Sequence, residues 1–267
     1  MNGSRIKNIV IVILALTNAF LLVLLFSRRV QEYAAWNRTV TELVQLYAAS
    51  DITLEADRIP EGMLHLSAVE PVRDLAAEAA FAEAVIGVCG MEDVGGGIYR
   101  YANDAGQCLI RSSGAVEAVL DRAVDDPEAY YESLFSAHGY GALYASINGG
   151  SGVAVAARMM PGATVFNAEL TLTYEENRLV SVTGSFVPPA EASERGEGID
   201  GITALVRFLD YSNLSGEVCT AVTDVRGGYL LQSTASASQR LIPVWRITTD
   251  VSEYYVNATN GEVTRET

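Results

Sequence analysis

A run of apolar side chains from Asn8 to Phe26 constrains this chain more than any other feature. It is built of Ile, Val, Leu, Ala and Phe, with Asn8, Thr17 and Asn18 as its polar members. About 20 such residues in a helix cross a bilayer core. Arg5 and Lys7 precede the run, and Arg28 and Arg29 follow it. The run exceeds the roughly 7–15 apolar residues of a signal-peptide core, and Ser27-Arg28-Arg29 offers no small-residue cleavage site directly after it. The expectation is an uncleaved anchor: residues 1–7 a cytoplasmic tail, 8–26 a single transmembrane helix in the cell membrane, and the C-terminal body extracellular. Basic residues flank both ends, so the positive-inside rule contributes little. Orientation rests on the short tail against the large body.

The body has its own character. The chain of 267 residues is 49% hydrophobic and 19% charged, enough apolar matter for a sizeable core. Lys and Arg number 18 against 33 acids, for a net charge of −15, and every acid lies C-terminal to the apolar run. Nucleic acid is excluded as a partner on this balance, because binding it requires a basic surface that displaces counterions. An acidic body also stands off anionic lipid. Lys7 is the single lysine, so lysine-dependent chemistry has no residue to work with in the body.

Residues 27–50 read as a helix continuing from the anchor. Tyr33, Trp36, Val40, Leu43 and Tyr47 recur at alternating steps of three and four, which makes an apolar seam. Three uses are open to it: packing on its own domain; zipping to a partner helix, with Thr17 and Asn18 in the span as interhelical hydrogen-bonding groups; or, for Tyr33 and Trp36, anchoring at the membrane interface. Beyond it the sequence alternates helices and strands. A short strand is expected at Ile52–Leu54 and another from Met63 to Ser67. Pro71 opens a helix that Gly87 ends, and strands follow at Ile98–Ala102, Gln107–Arg111 and Ala115–Leu120. Asp126-Pro127 starts a second helix that stops at Gly139. The stretch Gly139–Gly152 is loop-rich, and strands follow at Val153–Met159, Thr164–Tyr174 and Leu179–Phe186. Residues 188–199 form a Pro- and Glu-containing linker. Asp200 caps a third helix, followed by strands at Glu217–Arg226, Tyr229–Gln232, Leu241–Thr248, Glu253–Val256 and Glu262–Thr264. Asn260-Gly261 signals a type I′ hairpin turn. A helix followed by three or more strands thus occurs three times. The fold class is α+β, with antiparallel sheets carrying helices on one face. The modules run 51–123, 124–187 and 200–267, the second and third able to form one domain.

Reactive groups are sparse. His65 and His138 lie in no metal-binding spacing. Ser151 sits in Gly149-Gly150-Ser151-Gly152-Val153, where a nucleophile elbow needs glycine at the last place. Gly95-Gly96-Gly97 and Gly139-Tyr140-Gly141 lack a dinucleotide fingerprint. The acid pairs Asp125-Asp126 and Glu175-Glu176 fall in expected turns. Cys89, Cys108 and Cys219 are an odd set without a C-x-x-C: either Cys89 pairs with Cys108, or all three are buried thiols. No catalytic, cofactor or metal residue is expected.

Two stretches carry more than generic pattern. One is Val165-Phe166-Asn167, leading through a strand to Tyr174 and Gly184. The other is Pro243-Val244-Trp245, followed by Tyr255-Val256-Asn257-Ala258 and Gly261-Glu262. A P-x-W strand leading to a Y-x-N-A-x-x-G-E hairpin resembles the YycI/YycH group of bacterial regulatory membrane proteins and the related PepSY-type modules. The resemblance marks Asn167, Trp245, Tyr255, Asn257 and Gly261 as structural motif residues. It implies a non-catalytic extracytoplasmic protein that modulates the membrane histidine kinase of a two-component system linked to cell-envelope homeostasis, commonly with a sibling regulatory protein. A PepSY-like module that binds or inhibits a secreted hydrolase or protease is the alternative. An extracellular enzyme with a site assembled from acids is a third reading.

Overall fold

A computed structural model describes Leu14, Thr17, Asn18, residues 20–22, and residues 33–190, 196–216, 218–233 and 239–265. The tail at 1–7, most of the expected span at 8–26, residues 27–32 and the middle of the expected linker lie outside the described residues. Leu14, Thr17, Asn18, Phe20, Leu21 and Leu22 are helical and exposed. Among the described residues no helix is long and apolar enough to cross a membrane.

The body is mixed α and β, dominated by one branched sheet of 13 strands among the described residues. Helix α1 (33–49) leads through β1 (Thr53–Leu54) and a short 3-10 turn (Ala56–Arg58) into an irregular strap. Three units follow. The first is α2 (Leu75–Ile86) with β2 (Gly90–Gly95), β3 (Ile98–Asn103), β4 (Gly106–Arg111) and β5 (Ala115–Ala123). The second is α3 (Pro127–Ala137) with β6 (Tyr140–Asn148), β7 (Ser151–Met160), β8 (Ala163–Glu175) and β9 (Arg178–Ser185). The third is α4 (Gly201–Ser215) with β10 (Ala221–Ser233), β11 (Gln239–Thr249), β12 (Glu253–Asn257) and β13 (Val263–Arg265). Within each unit the strands pair antiparallel in sequence order. The first and second units join through β5 and β9, antiparallel from Ala115↔Ser185 to Ala123↔Arg178. The second and third meet where β8 touches β10 in parallel at Val165↔Tyr229.

Local chemistry explains the helix ends. Asp74, Asp126 and Asp200 each turn a carboxylate onto backbone N–H groups of the first turn, at Ala76 and Ala77, Glu128 and Ala129, and Thr203. Asp74 is why α2 starts at Leu75 and not at the expected Pro71. Arg122 on β5 and the Tyr130 hydroxyl on α3 both donate to the Ala84 carbonyl at the end of α2, at 2.6 and 2.8 Å. Asn103 Nδ2 donates to the Ile86 and Val88 carbonyls beyond it. Carbonyls with no intrahelical partner are thus satisfied from the neighbouring elements. Helix α1 ends on Asp51 in the left-handed region (φ 60°), with the Ile52 N–H bonded to the Tyr47 carbonyl at 3.0 Å and the Asp51 N–H to that of Ala48.

Several expected boundaries differ from the structure. The first unit has a fourth strand, β2, and the expected loop after Gly139 contains β6. Neither carries the alternation of large apolar residues that marks a half-buried strand, and both lie at the rim of the sheet. Met63–Ser67 is no strand. Its backbone makes an isolated bridge from Met63 to Asp200, and the Leu64 carbonyl accepts from the Gly198 N–H. The expected strands at 217–226 and 229–232 are one strand, β10, which runs unbroken through Gly227-Gly228. The Asn260-Gly261 loop is not type I′, because only Gly261 has positive φ (73°).

Two main cores result. One lies under α2 and α3 and is shared by the first two units, with Phe81, Val85, Ile110, Phe135, Leu170 and Phe186 in it. The other lies between α1, α4 and β10–β12. Val40, Leu43 and Tyr47 are buried there, Trp36 packs at its margin, and the Tyr47 hydroxyl donates to the Leu205 carbonyl at 2.7 Å. The apolar seam of α1 is therefore occupied by its own chain, and of its residues only Tyr33 remains exposed.

Candidate functional site at the seam between the second and third units

Strand β8 is where the sheet branches. Its pairing with β7 jumps from Ala157↔Glu169 to Arg158↔Val165, so residues 166–168 have no β7 partner. Such a bulge bends a strand and redirects its side chains. The bulged residues are Phe166-Asn167-Ala168, and each has a task at the seam. Ala168 is fully buried beside Val165, Tyr229 and Leu241. The Asn167 side-chain amide takes the place of a missing strand residue: Nδ2 donates to the Leu231 carbonyl at 2.8 Å, and Oδ1 accepts from the Leu231 N–H at 2.6 Å. The ring of Phe166 closes on Gly228, where a Cβ would stand 2.5 Å from its Cζ.

The other motif stretch comes to the same place. The rings of Phe166 and Tyr255 stack with centroids 6.1 Å apart. The Arg246 guanidinium sits 4.6 Å over the Phe166 ring, with Asp224 and Glu253 each 3.7 Å from it. Attraction to the ring quadrupole and two carboxylates holds that cation over the seam. On the opposite face of β11, Trp245 is buried and its Nε1–H donates to the Ile199 carbonyl at 2.9 Å. Gly227 opposes it across the strands, and a side chain there would collide with Leu64 of the strap. Asn257 organises the last hairpin. Its Oδ1 accepts from the Thr259 and Asn260 N–H groups, and its carbonyl from Gly261, the left-handed residue. Ala258 is buried, with its N–H on the Pro243 carbonyl and its own carbonyl accepting from Ile199. The motif is thus a construction unit: Trp245, Ala258 and the hairpin hold the segment 198–200 that enters α4.

The strap crosses the same seam. Val69 exchanges both backbone hydrogen bonds with Leu241, at 2.9 and 2.8 Å, and the Tyr229 hydroxyl donates to the Ser67 carbonyl at 3.1 Å. Further along, Arg73 forms a two-pronged ion pair with the buried Glu78 at 2.7 and 2.9 Å and donates to the Gly97 carbonyl.

The remaining candidates are scattered. Thr17, Asn18 and Tyr33 are exposed residues of helical segments N-terminal to β1. His65 is exposed in the strap, and His138 closes α3. Ser151 spends its oxygen accepting from the Glu176 N–H at 2.9 Å. Glu175 and Glu176 share a shallow depression with Asp121, Ser151 and Arg178, where Arg178 pairs with Asp121. The three cysteines are free, Cys108 and Cys219 buried. Burial pushes the Cys108 thiol up to about 12, which leaves it unionised. Among the described residues no three His, Cys, Asp or Glu side chains form a metal-binding group. Phe166 and Arg246 lie within the two motif stretches without being marked there as site residues, and Gly228 was not marked at all. Gly227-Gly228 inside a strand pattern was the available signal, since interior glycines mark close approach by another group.

No family model and no curated protein matches the chain. Solved structures do. An uncharacterized protein from Eubacterium rectale aligns over 79% of this chain and 88% of its own, at 12% identity and a TM-score of 0.49. The YpeB C-terminal domain of Bacillus megaterium aligns over 74% of this chain and 99% of its own, at 8% identity and a TM-score of 0.38. YycH from Bacillus subtilis aligns over 78% of this chain at 13% identity and a TM-score of 0.40, and the chain spans 53% of its length.

Proposed function

We propose that this chain is a membrane-anchored extracytoplasmic regulator that works through protein–protein contacts, of the YycH/YycI kind, and that it modulates a two-component sensor histidine kinase linked to the cell envelope. The observation that carries the reading is the docking of α1. Val40, Leu43 and Tyr47 fix that helix to α4 and β10–β12, and the apolar run 8–26 stands immediately N-terminal to it. The motif hairpin belongs to the same core. A partner that tilts the third unit therefore moves the helix leading to the membrane, and a partner helix in the membrane feels the state of the body. A coupling of about 1–3 kcal/mol between the two would change kinase output severalfold to a hundredfold. The motif resemblance supplies the kinase as partner, and Thr17 and Asn18 supply polar groups for contact inside the bilayer.

Capture of the intact protein from its native membrane in mild detergent tests this. The kinase, with or without a sibling regulator, is the expected partner, and a chain whose residues 8–26 are replaced by an unrelated span should lose it. Asn18→Leu should weaken the signal in a membrane two-hybrid assay. Recovery of a secreted hydrolase in place of the kinase would favour the PepSY-type alternative and sink this reading.

A further inference from the structure

The first two units form one run of strands, in the order β2-β3-β4-β5-β9-β8-β7-β6. The last strand of each unit pairs with the last strand of the other, antiparallel, so the two are related by a local two-fold. Strands β2 and β6, the first of each unit, are therefore equivalent outer edges. They are not equivalent in chemistry. Strand β2 has Glu92 and Asp93 at its middle, Glu92 paired to Arg100, a register break between Asp93 and Gly95, and glycine at both ends. Charges and bulges of this kind blunt an edge against further pairing. Strand β6 reads Tyr-Gly-Ala-Leu-Tyr-Ala-Ser-Ile-Asn, with no charge and no proline. Residues 142–146 are all exposed, and Leu143 and Tyr144 present 51% and 59% of their surface. Its register break falls between Ala142 and Tyr144, which leaves Tyr144–Asn148 in unbroken register with β7.

The hydrogen-bonding direction of that run follows from its turn. Gly149 and Gly150 both have positive φ (58° and 78°), as a two-residue type I′ loop requires. Asn148 and Ser151 are then a hydrogen-bonded pair, and by alternation so is Ser146 with Val153. Ala145 and Ile147 between them turn their N–H and C=O groups outward. By the same alternation neither residue bonds to β7, and among the described residues no backbone hydrogen bond from outside the strand ladders reaches either of them.

We propose that β6 is the contact through which two copies of this chain pair, edge to edge and antiparallel, across a two-fold axis at Ser146. The outward groups of Ala145 then meet those of Ile147 of the partner subunit, and Ser146 faces Ser146 of the partner subunit as a non-hydrogen-bonded pair. A two-fold axis sets each residue against a near-identical stretch, so a self-pairing edge must be free of like charge. In a chain with 33 acids against 18 bases, β6 meets that condition and β2 fails it. The β5–β9 junction already shows that two such units extend one sheet this way with both helices contributing to a single core. The pairing does not depend on the identity of any regulated kinase.

The test uses the full-length chain in nanodiscs with Cys89→Ser as background, Cys108 and Cys219 being buried. Opposed residues of a non-hydrogen-bonded pair stand about 4.5 Å apart at Cα, close enough for a disulfide. Ser146→Cys should give a covalent dimer under mild oxidation, and Glu92→Cys on the β2 edge should not. Light scattering of the unmodified chain should return a two-copy mass. Ala145→Pro removes an outward N–H without touching the β7 ladder, and Ser146→Glu opposes two carboxylates at the axis. Each should return a one-copy mass with the melting temperature of the body retained. A one-copy mass for the unmodified chain, equal cross-linking at Ser146→Cys and Glu92→Cys, or a dimer that survives Ser146→Glu would each overturn the proposal.

Discussion

The two joints between units are built by different physics. The first and second units share a strand ladder from Ala115↔Ser185 to Ala123↔Arg178 and one core, in which Phe81 lies 5.1 Å from Phe186 and edge-on to His138 at 5.2 Å. The second and third share one backbone pair, Val165↔Tyr229, and make up the difference with side chains: the Asn167 amide, Phe166 against Gly228, and Arg246 over Phe166. A ladder cooperates along its length, and a stitched joint opens when a few side chains let go. The first two units should therefore unfold together, and the third, with α1 docked on it, should be able to move or melt separately.

The largest effect should come from cutting into the shared core. Phe81 is fully buried on α2 and touches elements of both units. Phe81→Ala removes a ring whose loss from a core typically costs about 3–5 kcal/mol. Calorimetry should show the transition of both units moving down as one, with the third unit less affected. Two separate transitions for the first and second units would break the comparison at its stronger side.

Overfilling the stitched joint comes next. At Gly228 a Cβ would stand 2.5 Å from Phe166 Cζ and 2.6 Å from the Thr164 carbonyl oxygen, so ring or strand must shift. Overpacking of this kind costs about 1–3 kcal/mol. Gly228→Ala should lower the stability of the third unit and expose the seam to limited proteolysis, and leave the β5–β9 ladder protected in hydrogen exchange.

Asn167 gives the finer probe. Replacing it with alanine leaves the Leu231 N–H and carbonyl without their partner, and two lost hydrogen bonds of about 1 kcal/mol each set the scale. The Leu231 amide should exchange faster by roughly 5- to 30-fold, the factor that 1–2 kcal/mol corresponds to. Unchanged exchange at Leu231 would mean that the side-chain amide is not what holds the joint.

How much of this is legible in the sequence divides along the same line. Asp126 and Asp200 announce their helices because a cap is a contact between near neighbours. The α1 seam shows its period, which is local, but not its occupant: Leu205 is 158 residues from the Tyr47 hydroxyl it receives. Strands β2 and β6 were invisible because Gly, Ala, Ser and acids carry no burial pattern, and the neighbouring strand alone makes them extended. Asn167 could be picked out as a motif residue, yet its use as a substitute backbone depends on where β10 passes. Trp245, Tyr255, Asn257 and Gly261 likewise stood out by type and spacing. What they build, a hairpin that holds the entry to α4, needs Pro243, Ile199 and Ala258 brought together in space.

The smallest effect expected is a pH dependence confined to the first two units. His138 closes α3 against Phe81, with the Arg158 guanidinium donating to its carbonyl and lying over the Tyr140 ring. Burial, and then the neighbouring Arg158 cation, hold the His138 imidazole below its ordinary value, and burial pushes the Tyr140 hydroxyl up to about 12. A base whose folded-state value is lowered binds its proton more readily in the unfolded chain. Its contribution to stability is therefore complete above about pH 6.5, the ordinary histidine value, and is lost as pH falls from there toward the depressed folded value. Melting temperatures of the unmodified chain and of His138→Gln, compared between pH 7.5 and 5.5, isolate this contribution from the carboxylates, which both chains share. The unmodified chain should lose more stability over that interval, and the excess should fall on the transition of the shared core. The same excess in the third unit's transition would show that the two joints are not energetically separate.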